Sequence, residues 1–147
     1  MEGQRDFKGL LKLFNKNKVK YVIVGAYALA FHGCPRYTAD LDILVESSPS
    51  NARNILKAIK NFGFGSLKLK IEDFISEKKV IQLGMPPIRI DILTSLTGVT
   101  WKQISSNRVK GKYGNISVYF IGKKELIANK KALGRLKDLA DIEAIKR

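Results

Sequence analysis

The chain is poor in the residues that most often carry redox and zinc chemistry: its 147 residues include one cysteine, Cys34, and one histidine, His32. A lone cysteine excludes an internal disulfide, and there is no Cys/His cluster to hold zinc. Any catalytic metal must therefore sit on oxygen ligands. Long apolar runs are also missing, and no segment approaches the ~20 uninterrupted apolar residues of a membrane span. The opening MEGQRDFKGL has no apolar run followed by small residues. It does not read as a secretory signal, so the cytoplasm is the default expectation. Internal repeats and low-complexity linkers are absent, and residues 1–147 read as a single domain, a length that one core serves well.

Acidic residues are scarce as well, with 13 Asp and Glu against 27 Lys and Arg and a formal charge of +14. Such a charge attracts phosphate-bearing partners, which points to nucleotide or RNA binding. Scattered lysines such as Lys12, Lys16, Lys57 and Lys60 equally suit the solvated faces of helices. The basic balance alone does not choose between these readings.

Apolar spacing supplies the framework. Residues 6–17 place Phe7, Leu10, Leu11 and Phe14 at helical intervals, and the β-branched run Tyr21 to Val24 reads as a buried strand ending at Gly25. A short helix follows to Phe31, then a loop through Gly33 and Pro35, then a strand in which Leu41, Ile43 and Val45 alternate with Asp40, Asp42 and Leu44. The polar run from Ser47 to Ser50 opens a helix with its apolar stripe at Ala52, Ile55, Leu56, Ile59 and Phe62, closed by Gly63. The stretch 64–84 is ambiguous: Phe74 and Ile75 fit a helix, and Lys79 to Leu83 fit a strand that Pro86 and Pro87 terminate. Ile88, Ile90 and Ile92 alternate with Arg89, Asp91 and Leu93 in another strand. A short helix at Trp101, a hairpin broken at Gly114-Asn115 and two closing helices separated near Gly134 complete the pattern. The expected fold class is α/β (α+β), a mixed sheet flanked by helices.

The few carboxylates are informatively placed. Alternation puts Asp40 and Asp42 on one strand face, about 7 Å apart along the chain, and Asp91 sits in the similar setting Ile90-Asp91-Ile92. If the two strands are neighbours, three carboxylates converge. They would repel one another and raise their pKa values unless divalent metal or basic side chains neutralise them. Mg²⁺ or Mn²⁺ suits oxygen donors and completes its shell with water and phosphates. An isolated D-x-D, however, is more often an exposed acidic strand face paired with nearby Arg or Lys.

The order Val24-Gly25-Ala26, a short helix and loop, then Asp40-Leu41-Asp42-Ile43, with Asp91 on a later strand, resembles the signature of the polymerase β-like nucleotidyltransferase superfamily. The likeness is nearest to minimal bacterial and archaeal members similar to the AbiEii-type toxin nucleotidyltransferases. It extends to Gly33, Arg36, Thr38 and Asp40 before the strand and to Arg135, Lys137, Asp138 and Asp141 near the end. The resemblance implies a nucleotidyltransferase-like mixed sheet and an Mg²⁺-dependent enzyme that transfers an NMP from an NTP to a hydroxyl. It implies Asp40, Asp42 and Asp91 as catalytic metal ligands, with Gly25, Ala26, Arg36, Thr38 and Lys137 on the nucleotide side. Position 26 departs from the family, which usually has Ser or Gly there, and so lacks a hydroxyl contact.

For several residues a structural role competes with these. Arg36 suits a phosphate or a salt bridge to Asp40 or Asp42. Lys137 suits the triphosphate, while Asp138 and Asp141 suit intrahelical pairs with Arg135 and Lys137. His32 suits a cap on backbone carbonyls better than acid–base work, and Tyr27 and Tyr37 suit the core or base stacking. The basic charge favours an RNA acceptor such as a tRNA end. A protein hydroxyl stays open, and a toxin role would bring a cognate antitoxin protein as partner. A small antibiotic acceptor is disfavoured, because it is expected to come with an extra helical domain. The alternative to an enzyme is a noncatalytic nucleic-acid-binding module that keeps the fold.

Overall fold

A computed structural model describes residues 2–35, 38, 40–64, 68–84 and 89–146. Arg36, Tyr37, Pro86, Pro87 and Ile88, named above, lie outside the described residues. The elements run α1 (Glu2–Lys16), β1 (Tyr21–Val24), α2 (Gly25–Phe31), β2 (Asp40–Val45), α3 (Pro49–Ile59), α4 (Glu72–Ile75), β3 (Val80–Leu83), β4 (Arg89–Leu93), α5 (Trp101–Ser106), β5 (Val109–Tyr113), β6 (Ile116–Phe120), α6 (Lys123–Leu133) and α7 (Leu136–Lys146). The strands form one sheet in the order β3-β4-β2-β1-β6-β5. It is mixed: β2 runs parallel to β4 and β1 parallel to β6, while β1 is antiparallel to β2, β3 to β4 and β5 to β6. The expected α+β class, with a mixed sheet between helices, is what the chain adopts.

Alternation along β2 decides how the sheet is used. Leu41, Ile43 and Val45 share one face with Ile90 and Ile92 of β4, and all five are fully or almost fully buried. The apolar stripe of α1 (Phe7, Leu10, Leu11 and Phe14) and that of α3 (Ala52, Ile55, Ala58 and Ile59) are buried in the same core. Burying each such large side chain contributes about 1.5–3 kcal/mol. The opposite face of β2 is apolar at Leu44 and acidic at Asp40 and Asp42. The sheet is therefore sealed at one end of that face and chemically distinct at the other.

Local signals set the boundaries. Ser48 caps α3 by accepting from the Asn51 amide, with Pro49 at the first helical position, and Thr100 and Gln103 form a reciprocal capping box on α5. Beyond Ile59 the chain passes through a single wide helical turn, Lys60–Phe64, which ends at Gly63 with φ 108°. Gly63 thus stops the helix as its position in the sequence suggests. Asn51, buried, ties the far ends of β1 and β2 together, since its side chain accepts from the Lys20 amide and donates to the Lys20 and Glu46 carbonyls. Among the described residues no helix is long and apolar enough to cross a membrane.

Candidate active site

The register of β2 on β4 brings the acidic residues together. Asp42 is directly opposite Asp91, and Asp40 is directly opposite Arg89. In paired strands such partners point to the same face, so three carboxylates and one guanidinium share one patch. The convergence expected from two separate strand patterns is realised because β2 and β4 are immediate neighbours.

Arg89 organises the patch. Its Nη2 donates to Asp40 Oδ2 at 3.2 Å, and its Nε lies 3.2 Å from Asp91 Oδ1. The second contact is out of line for a hydrogen bond, and both atoms are buried without another hydrogen-bond partner. One positive charge thus serves three acids. The consequence falls on Asp42, whose carboxyl is pushed up to about 6 by burial first, then by the charges of Asp91 and Asp40, against the opposing pull of Arg89. Asp91 is also raised, again mainly by burial, with Arg89 as the chief opposing influence. Burial and like-charge crowding disfavour the ionised forms, and both ease when positive charge arrives.

Gly25 makes room for this geometry. Its φ is +69°, and a Cβ there would lie 2.2 Å from Asp42 Oδ2, so the turn from β1 into α2 admits no side chain without displacing the carboxylate. Val24, which precedes α2, provides no side-chain cap, leaving the first amides of the helix, at Gly25 and Ala26, without a side-chain acceptor. Thr38 fixes the entry to β2, since its hydroxyl accepts from the Asp40 amide at 3.1 Å and donates to the Asp40 carbonyl at 3.2 Å. Thr38 therefore positions Asp40.

The residues near the end of the chain do other work. Asp138 is fully buried and receives Arg135 Nε at 2.6 Å and Nη2 at 3.1 Å; the two residues pair as expected, but across the start of α7 and not within it, because Arg135 precedes the helix. Asp141 does not pair with Lys137 as expected. It accepts from Lys130 of α6 at 2.9 Å, and Lys130 also reaches Asp138 at 3.6 Å. The two aspartates lock α7 onto α6, because Lys130 is buried at that helix junction whereas Lys137 is exposed. Lys137 has no ion-pair partner among the described residues. His32 Nε2 donates to the Ile121 carbonyl at 2.7 Å, a backbone carbonyl just past β6 and not one at the end of its own helix, so the expected contact type is made across the sheet. Tyr27, half-buried at the margin of the core, packs edge-on against Phe7 and Tyr113.

Oxygen-only donors, an orphaned buried Oδ1 on Asp91 and two carboxyls held toward protonation fit a divalent cation of the Mg²⁺ kind. Among the described residues no group of three or more acidic, His or Cys side chains already forms a metal cage. Arg89 instead spans Asp40 and Asp91. The sequence reading did not single it out, although its signal was available: Arg89 lies two residues before Asp91, hence on the same strand face.

No protein-family model matches the chain, and no curated protein sequence matches it significantly. Solved structures do. A protein from Thermotoga maritima described as a nucleotidyltransferase superposes over 95% of this chain and 89% of its own, with a TM-score of 0.63 at 14% identity. The lincosamide antibiotic adenylyltransferase LnuA, solved with lincomycin bound, matches over 97% of this chain and 95% of its own, with a TM-score of 0.56 at 13% identity. An antigenic nucleotidyltransferase-like protein from Paracoccidioides brasiliensis matches over 92% and 71%, with a TM-score of 0.55 at 18% identity. LnuA corrects one expectation: an antibiotic-modifying enzyme of this fold needs no extra helical domain beyond the length seen here. The end-to-end superpositions, together with the paired carboxylates on β2 and β4, give this chain the nucleotidyltransferase fold.

Proposed function

We propose that the protein is a nucleotidyltransferase that moves an NMP from an NTP onto a hydroxyl acceptor, with RNA such as a tRNA end as the acceptor class that the +14 charge favours. The observation that carries this reading is the direct pairing of Asp42 with Asp91, with Asp40 on the same face and Gly25 cleared for the Asp42 carboxylate. Asp40, Asp42 and Asp91 would hold Mg²⁺ or Mn²⁺, which when bound supplies charge neutralisation at the triphosphate. The acceptor oxygen forms a bond to the α-phosphorus, the bond to the bridging oxygen of the β-phosphate breaks, and pyrophosphate leaves. Asp91 takes the hydroxyl proton, a role that its raised pKa suits. The uncapped amides of Gly25 and Ala26 face the triphosphate, with Arg36 and Lys137 as its cationic partners.

Arg89 must leave Asp40 and Asp91 for metal to enter, and its guanidinium is then free for phosphate. The same pairing favours a second reading, in which Arg89 permanently neutralises the patch and the fold serves as a noncatalytic nucleic-acid-binding module. Incubation with each α-labelled NTP, Mg²⁺ or Mn²⁺, and either total RNA or lincomycin separates the readings, with Asp40→Ala/Asp42→Ala in parallel. Label moved by the parent and not by the variant establishes transfer and names the acceptor class. No label on RNA, on lincomycin or on the protein, with no NTP binding, favours the noncatalytic module. If the toxin role holds, coexpression of a cognate antitoxin protein restores growth that the parent arrests.

A further inference from the structure

A cavity lies at the opposite end of β1 from the carboxylates. It encloses about 330 Å³ between the end of α1, the start of β1 and the β5–β6 hairpin, and four basic side chains from two separate segments, Lys18 and Lys20 from one and Arg108 and Lys110 from the other, line it. Three steps of ~3.3 Å from Tyr21 to Val24 put the two ends of β1 roughly 10 Å apart. The volume is within the range of ligand-binding pockets, about 300–1,000 Å³.

The basic side chains here converge and are largely unspent. Lys18, Arg108 and Lys110 have no carboxylate partner among the described residues, and Lys20 has only Glu46 at 3.9 Å. Arg108 Cζ sits over the Tyr119 ring, 4.2 Å from its centroid, a cation–π contact that leaves the guanidinium N–H groups able to form bonds to an oxyanion. The wall behind it is fixed: Asn15 donates to the Ser117 carbonyl at 2.7 Å and accepts from the Tyr21 hydroxyl at 2.9 Å. Lys18 adds an independent sign. It sits just past the end of α1 with φ 56°, a left-handed position where glycine is the usual residue and a lysine costs about 1 kcal/mol. A charged side chain is thus retained where stability alone favours none.

We propose that this pocket anchors the phosphodiester backbone of single-stranded RNA. The proposal rests on the RNA-acceptor reading and gives that acceptor a binding surface separate from the transfer chemistry. Backbone contact is favoured over base reading because the charged groups are donors on open sides, while of the two tyrosines lining the cavity Tyr21 is buried and bonded to Asn15 and Tyr119 carries Arg108 over its ring. A flatter lysine-rich cavity on α6, lined by Lys123, Lys124, Ile127, Ala128 and Lys131, provides an internal comparison, since one helix builds it with no arginine and no ring.

The test is fluorescence anisotropy of a labelled single-stranded RNA oligonucleotide at low and moderate salt. Arg108→Ala/Lys110→Ala should weaken binding about 10-fold and lower the salt slope by about 1.4, which is two charges at ~0.7 each. Lys123→Ala/Lys131→Ala should change affinity by less than about 3-fold. Lys18→Gly should raise the melting temperature and still weaken RNA binding, an outcome that misfolding cannot produce. Equal losses in both double variants would mean diffuse charge attraction and overturn the anchor. So would displacement of the RNA by polyglutamate as effectively as by unlabelled RNA. Asp40→Asn/Asp42→Asn should bind RNA as the parent does. If the parent binds no RNA yet still adenylylates a small hydroxyl, the anchor fails and the nucleotidyltransferase reading stands.

Discussion

The two ends of β1 carry opposite charge and are built on opposite principles. At the Gly25 end, Asp40, Asp42 and Asp91 are crowded onto two adjacent strands, partly buried and short of positive charge. At the Lys20 end, cations contributed by the segment after α1 and by residues 108–110 at the start of the β5–β6 hairpin surround an open cavity and stay mostly exposed. A protein with 27 basic and 13 acidic residues could have paired each acid with a base. It instead leaves three acids to share Arg89. Crowding of like charge under burial is costly, and perturbed groups of this kind cluster where chemistry is done. The basic end is inexpensive to build, so its function shows in convergence and in the strained Lys18.

The largest break in this comparison should come from Asp42→Asn, which keeps the shape and removes the charge. Nucleotidyl transfer should fall on the order of 10³-fold, as expected when a principal electrostatic group at the reacting phosphate is lost. The melting temperature in chelator should rise, since the buried repulsion with Asp91 and Asp40 is relieved. A variant that loses activity and stability together would show that Asp42 is structural. Gly25→Ala should rank next. Its Cβ would lie 2.2 Å from Asp42 Oδ2, and the residue would be held at φ +69°. Displacing one carboxylate by about 1 Å can cost roughly 10²-fold in rate. Single-turnover measurement at saturating NTP should show the loss in the chemical step.

These effects depend on features that differ in how far they could be read from the sequence. The D-x-D alternation and the Ile90-Asp91-Ile92 context are local, so Asp40, Asp42 and Asp91 were legible, as were β1, β2, the β5–β6 hairpin and the helix ends at Ser48 and Gly63. That Asp42 pairs directly with Asp91 depends on β4 crossing to lie beside β2, a register fixed by tertiary packing of Ile90 and Ile92 against the core. The role of Arg89 follows from the same register. Arg135 and Asp138 were legible as an i,i+3 pair, yet the partner of Asp141 was not, because Lys130 belongs to the other helix. The basic cavity is assembled from residues 15–21, 108–110 and 117–119, and no spacing rule joins these segments.

Arg89→Ala sharpens the comparison by a smaller amount. The guanidinium and a divalent cation compete for Asp40 and Asp91, so its removal should raise Mn²⁺ affinity several-fold, read by electron paramagnetic resonance without nucleotide. In chelator the same variant should melt earlier, because three carboxylates then lack their one shared counter-ion. Weaker Mn²⁺ binding would show that Arg89 helps to shape the metal site and does not block it.

The smallest effect is a pH dependence whose two sides belong to different parts of the molecule. The Asp42 carboxyl is raised from an ordinary 3.8 to about 6, so the unfolded chain ionises first and stability in chelator should decline as pH rises from about 4 to 6 and then level off. The Asp138 carboxyl moves the other way, lowered chiefly by its hydrogen bonds from Arg135, so its contribution is present above about 4 and is lost as pH falls further. Melting temperature in chelator should therefore be highest near pH 4 to 5. Asp42→Asn should shrink the decline above that range to the part that the raised Asp91 carboxyl contributes and leave the acid side unchanged, whereas Asp138→Asn should weaken the acid side and keep the decline. Saturating Mg²⁺ should remove the decline above pH 5 in the parent alone, because a bound cation favours the ionised carboxylates that burial disfavours. A decline in Asp42→Asn as large as the parent's would assign it to groups other than Asp42 and remove that carboxylate from the account of the acidic end.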